Sequence, residues 1–193
     1  MTAEAQPGPR GRRADRVAPL GSRCGTGRDD PGPDRPRRLQ LIRVWRIARA
    51  RHRAFDGEGA RLRGGRWNHP GAPVIYTSST LALAALETLV HLDEEEAPGT
   101  LVAIPADIPR DVSITWVNPS ALPSNWRATP PPERLAETGT RWVEAGHTVA
   151  LAVPSAIIPH ELNYLLNPRH PQFKRVRIGA PEPFSYDPRL RKG

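Results

Sequence analysis

Residues 64–92 read GGRWNHPGAPVIYTSSTLALAALETLVHL. A glycine turn, a short strand and a helix follow one another. VIYTS, at 74–78, is β-branched and aromatic enough for a strand. Ser78, Ser79 or Thr80 can cap the helix predicted over 79–96. Its apolar stripe is Leu83, Leu86, Leu89 and Val90. Two residues do not fit this plain scaffold. Arg66 sits beside Trp67 in the glycine turn, and Glu87 lies at the edge of the stripe. A carboxylate there must reach solvent, a cation or a ligand. Periodicity alone leans to solvent for Glu87. The turn alone leans to an arginine satisfied locally, with Trp67 anchored in the core.

Outward from this stretch, the folded part begins near Leu41, where LIRVWRIA alternates as a strand does. Residues 49–73 read as a long polar loop punctuated by glycines. After the helix, acidic residues Asp93 to Glu96 oppose the dipole at its C-terminus and PGT breaks it. LVAIPADIP and VSITWV read as strands. PPPERLAETGTRWVEAG reads as a helix with a glycine stop. HTVALAVPSA reads as a buried strand, HELNYLLNPRHP as a loop or short helix, and RVRIG and PFSYD as short β pieces. The order lacks a βα repeat. It predicts an α+β fold with a mixed or antiparallel sheet core and flanking helices.

Residues 1–39 are different. They hold nine arginines against five acids, a net of +4, and few large apolar residues. Such a segment cannot bury enough surface to offset the entropy of ordering, so it is expected to be a disordered Arg/Pro/Gly-rich tail. The domain is then 40–193. The chain of 193 residues carries a formal charge of +8, with 28 basic and 20 acidic residues, so half of the charge lies in the tail. Nucleic acid is the first partner such charge suggests. However, all but Lys174 and Lys192 of the basic residues are arginine. That bias, with abundant alanine and proline, suits a GC-rich coding sequence.

One cysteine, Cys24, permits no disulfide framework within a chain. No apolar run approaches the roughly 18 residues of a membrane span, and the N-terminus has no signal core. The expected location is the cytoplasm, without a membrane. The six histidines show no HExxH spacing and there is no Walker motif. Ser155 follows a buried strand but lacks the G-x-S-x-G setting of a hydrolase nucleophile. Tyr76 should face away from Ile75, either into a cleft or half-buried in the sheet. Asn163, Asn167 and His170 form a polar segment that ordinary turn chemistry also explains.

Together, VWRIA, GEGARLRGGRWNHPGAPVIYTSSTLALAALETLVHL, VALAVPSAIIPHELNYLLNPRHP and the closing YDPRL resemble the RES domain family, from about Leu41 to Leu190. The resemblance implies a toxin of a RES–Xre toxin–antitoxin system with an ADP-ribosyltransferase-like fold acting on NAD+. The letters R, E and S then fall on Arg66, Glu87 and Ser155 as catalytic residues. Arg46 and Tyr76 match further NAD-binding positions, with Ser155 and, more weakly, Asn163. NAD+ would be substrate, and neither another cofactor nor a metal is implied. The expected reaction is cleavage of the nicotinamide–ribose bond by hydrolysis or phosphorolysis. The alternative is ADP-ribosyl transfer to a host protein. An Xre-type antitoxin is the expected protein partner, in a hetero-oligomer with the toxin. A non-enzymatic nucleic-acid binder is a remote third reading, because it gives no reason for Arg66, Tyr76, Glu87 and Ser155 together.

Overall fold

The computed structural model describes residues 41–92 and 100–191. The tail at 1–39 and the acidic run Asp93 to Glu96 lie outside the described residues. In chain order the elements are β1 (Leu41–Arg49), α1 (Glu58–Arg63), β2 (Ile75–Ser78), α2 (Leu81–Leu89), β3 (Leu101–Pro109), β4 (Ile114–Trp116), α3 (Glu133–Ala145), β5 (Ala150–Pro154), β6 (Leu162–Leu166), β7 (Arg177–Ile178) and β8 (Glu182–Phe184). The strands form one sheet in the order β4-β5-β6-β2-β1-β3-β7, with β8 also on β3. Among the described residues β4 and β5 alone pair in parallel; the other pairs are antiparallel. The fold is therefore α+β with a mixed sheet.

Strand alternation divides the core in two. One face carries Val44, Ile75, Ala106, Ile108, Ala150, Ala152, Tyr164 and Leu166, packed with Phe55 and Phe173 from connecting segments. The other carries the helices. There α2 packs through Ala84 on Ile47 and Ala103. Nearby, α3 packs through Leu135, Trp142 and Val143 on Leu151, Val153 and Leu165. Ile75 and Tyr76 accordingly belong to opposite faces.

Three expectations need correction. HELNYLLNPRHP contains β6, not a loop or short helix: LNYLL pairs on both sides, with β2 and β5, and those ladders override its weak local pattern. The long loop at 49–73 contains α1, a single helical turn and a half, which Gly64 ends at φ 72°. The buried stripe of α2 is also not the leucine stripe. Leu83 and Ala84 are buried, whereas Leu86 and Val90 are 38% and 61% exposed. The small alanines let the helix approach the sheet closely. Thr80 is the cap; its hydroxyl accepts from Leu83 N–H at 3.0 Å.

Candidate functional site

The glycine turn is held by its own groups and by α1, β2 and α3 around it. Gly65 and Asn68 exchange backbone hydrogen bonds at 2.9 and 3.3 Å. Asn68 is buried, and its amide donates to the carbonyls of Ala60, His69 and Ala72 at 2.9 to 3.0 Å. Tyr76 accepts from Trp67 N–H at 3.1 Å and donates to Asn68 Oδ1 at 2.8 Å. Trp67 is buried in the α3 face of the core. Two glycines permit this packing. A Cβ on Gly65 would meet Tyr76 Oη at 2.7 Å, and one on Gly139 of α3 would overlap the Trp67 carbonyl oxygen. Thr140, next along α3, accepts from His69 N–H at 2.9 Å.

Arg66 is the side chain this turn leaves for other uses. Its Nη1 donates to the carbonyls of Trp126 and Ala128 at 2.7 and 3.2 Å, pinning the segment before α3. Arginine has five donors, so these bonds leave most of the guanidinium fork available. Burial lowers its pKa from the ordinary value; the Glu87 carboxylate and the Tyr76 phenol oppose that shift. Arg66 and Glu87 thus lie within electrostatic reach of each other.

Glu87 projects from α2 into a set of directed donors. Ser155 Oγ donates to its Oε1 at 2.7 Å, and Asn163 Nδ2 donates to the same oxygen at 2.6 Å. Ser155 itself is fully buried. Its Oγ accepts from the backbone N–H groups of Ile157 and Ile158 at 3.1 and 3.0 Å. The hydroxyl proton is therefore directed to Glu87, and the hydroxyl is fully occupied. No nucleophile is formed there; the serine aims the carboxylate. Among the described residues Oε2 takes no hydrogen bond from a side chain, so the network grips one oxygen and leaves the other for a ligand.

The site therefore brings Arg66, Glu87, Ser155 and Asn163 together on the helix-bearing face. Tyr76 joins them differently. Its hydroxyl is committed to the glycine turn, and burial raises its pKa well above the ordinary phenol value, against the pull of Trp67 N–H and Arg66. Arg46 is not brought in. It shares its face of β1 with Val44, opposite to Ile47 and α2. Its guanidinium lies 5.6 Å from the Phe55 ring centroid, and Nη2 donates to His52 O at 3.4 Å. Burial lowers its pKa, opposed by Asp56. A cavity of about 450 Å³ also lies away from Glu87, lined by Phe55, Pro73, Arg169 and Phe173 among others. Among the described residues no three His, Cys, Asp or Glu side chains converge as a metal would require. No described helix is long and apolar enough to cross a membrane.

Two residues of the cluster were not singled out in the sequence. Asn68 locks the turn, and Ser78 donates to Asn163 Oδ1 at 2.7 Å. An asparagine inside a glycine turn and a serine opposite another polar strand residue are the signals that could have found them.

Fold and site together define a small α+β protein that presents an aimed carboxylate beside a guanidinium. Residues 43–187 match the RES domain, and the chain belongs to that family. It is 39% identical over 151 residues to a protein named Toxin Res from Yersinia enterocolitica, spanning 77% of this chain and 99% of that one. It is 38% identical to the "Prs ADP-ribosylating toxin" of a Sphingobium species, over 76% of this chain and 94% of the relative. A chain in the crystal structure of the M. tuberculosis MbcT-MbcA toxin-antitoxin complex shares the fold, with a TM-score of 0.63 at 16% identity, over 76% of this chain and 86% of that one. The fold class is thus the ADP-ribosyltransferase-like one of RES toxins.

Proposed function

We propose that this protein is the toxin of a toxin–antitoxin pair and that it cleaves the nicotinamide–ribose bond of NAD+. The observation that carries this reading is Glu87 Oε1 held by two donors, Ser155 and Asn163, within reach of the Arg66 charge. In the reaction the bond from the ribose anomeric carbon to the ring nitrogen breaks. Its electron pair goes to the cationic nitrogen, so neutral nicotinamide leaves without an acid. The sugar becomes oxocarbenium-like, as in glycoside hydrolysis, and a nearby carboxylate stabilises that charge. On this reading Glu87 Oε2 does this or holds a ribose hydroxyl. Arg66 supplies charge-assisted bonds to the pyrophosphate through the donors not used on Trp126 and Ala128. Ser155 and Asn163 keep the carboxylate aimed, and the ring of Tyr76 backs the Arg66 turn.

The cation is then captured by water or phosphate. A second reading, capture by a side chain of a host protein, is favoured by the name of the Sphingobium relative, an ADP-ribosylating toxin. Purified protein given labelled NAD+ with and without phosphate separates the outcomes. Free ADP-ribose means hydrolysis, ADP-ribose 1″-phosphate means phosphorolysis, and label on a protein means transfer. Intact NAD+ with no labelled protein in any condition contradicts both readings. A protein antitoxin is the partner this reading calls for, supported by the toxin-antitoxin complex that shares the fold. An Xre-type protein is the expected kind. Co-purification of the product of the neighbouring gene tests it, and its failure to bind counts against it.

A further inference from the structure

Ser78 ends β2, is 4% exposed, and does not cap α2, since Thr80 does that. Its Oγ lies 2.7 Å from Asn163 Oδ1, across the Ser78–Asn163 register of β2 and β6. The direction of each hydrogen bond follows from chemistry alone. A carboxylate accepts, so Asn163 must turn its NH2 group to Glu87 Oε1. Its carbonyl oxygen then faces Ser78, which must donate. The geometry assigns Ser78 as the positioning residue that fixes the amide orientation of Asn163 and, through it, the aim of Glu87. Without that proton, the half-buried Asn163 Oδ1 loses its partner, and a flipped amide would set two acceptor oxygens against each other at Glu87. Either result loosens the grip on Oε1. Ser78 is itself buried, so its hydroxyl has a strong preference for that acceptor and the orientation is held while Ser78 is present.

This inference rests on Glu87 being the reacting carboxylate, and its test separates the two. The first arm is steady-state NAD+ consumption by wild type, Ser78→Ala, Ser78→Cys, Ser78→Thr, Asn163→Ala and the Ser78→Ala/Asn163→Ala pair. Ser78→Ala is expected to lower kcat about tenfold with KM changed less than about twofold, the size of one lost hydrogen bond. Ser78→Cys, of similar volume and a weaker donor, should fall between, and Ser78→Thr should restore activity. In the Asn163→Ala background Ser78→Ala should add no further loss. Additive losses, or a change in KM alone, overturn the proposal. The second arm needs no turnover: the side-chain NH2 resonances of Asn163 in full-length protein. They are expected as two well-separated, exchange-protected protons that average or lose protection in Ser78→Ala. Unchanged signals in Ser78→Ala overturn the positioning role. If wild type consumes no NAD+, the substrate reading fails, and this arm decides Ser78 by itself.

Discussion

One face of the sheet holds Arg46 against Phe55, beside a cavity of about 450 Å³. The other face holds Glu87, with Ser155 and Asn163 bonded to it and Ser78 bonded to Asn163. The first has volume and charge, but two of its cations serve the fold: Arg61 pairs with Glu58 at 2.6 Å, and Arg46 packs on an aromatic ring. The second has two donors, Ser155 and Asn163, directed at one carboxylate oxygen. The contrast teaches that room for a ligand and a group prepared to act on one are separate properties. Polar satisfaction shows the difference. Among the described residues no buried side-chain nitrogen or oxygen lacks a partner, so the donors around Glu87 are built in, not incidental.

The largest break in this comparison comes from Glu87→Gln. It keeps the shape and removes the charge, and turnover of NAD+ should fall by about 10²–10³ with the fold retained by circular dichroism. A folded variant of full activity removes Glu87 from the chemistry. Next is Gly139→Ala, which drives a methyl group into the Trp67 carbonyl and should separate α3 from the Arg66 turn. A loss of about 3 kcal/mol in denaturant unfolding is expected. An unchanged midpoint would show that the helix can shift without cost.

Arg66→Ala should raise KM about tenfold through lost charge-assisted bonds, and should also raise hydrogen exchange at 126–128, which Arg66 pins. A KM that does not move makes Arg66 structural only. A smaller effect belongs to Tyr76. Its folded pKa is raised by burial, whereas the unfolded chain loses the phenol proton near pH ~10. The stability it contributes is therefore full below about pH 10 and is lost as pH rises beyond it. Tyr76→Phe should make alkaline unfolding less steep; an identical slope would show that the proton is not held. The smallest effect sharpens the contrast from the other side. Phe55→Ala on the cavity face should cost stability yet leave kcat within about twofold, and a large fall in kcat would join the two faces functionally.

Much of the fold was legible because its pattern is local. Strand alternation in LIRVWRIA, the glycine after α3 and the capped start of α2 each follow from a few adjacent residues. The errors lie where distant partners decide. LNYLL becomes a central strand only because β2 and β5 flank it. EGARLR is too short and glycine-marked to stand out as helix. In α2 the leucines seemed to define the buried face, yet Ala84 does much of that work through close approach. At the site, Arg66, Glu87 and Ser155 were named through their family pattern, and periodicity had given only the oddity of Glu87. Arg46 looked equivalent to Arg66 in sequence, and only the alternation of β1 against α2 separates them. Ser78 and Asn68 are marked in the sequence only by a polar residue in a strand and an asparagine in a glycine turn, because their roles depend on atoms 85 and 8 residues away in the chain.

The most direct test of the central claim is to bind NAD+ to full-length Glu87→Gln, which should hold it without rapid loss, and to map amide shift changes across the chain. The account predicts that they cluster at Arg66, Ser78, Ser155 to Ile158 and Asn163. Changes centred instead on Phe55, Arg169 and Phe173 would place the substrate on the other face and contradict it.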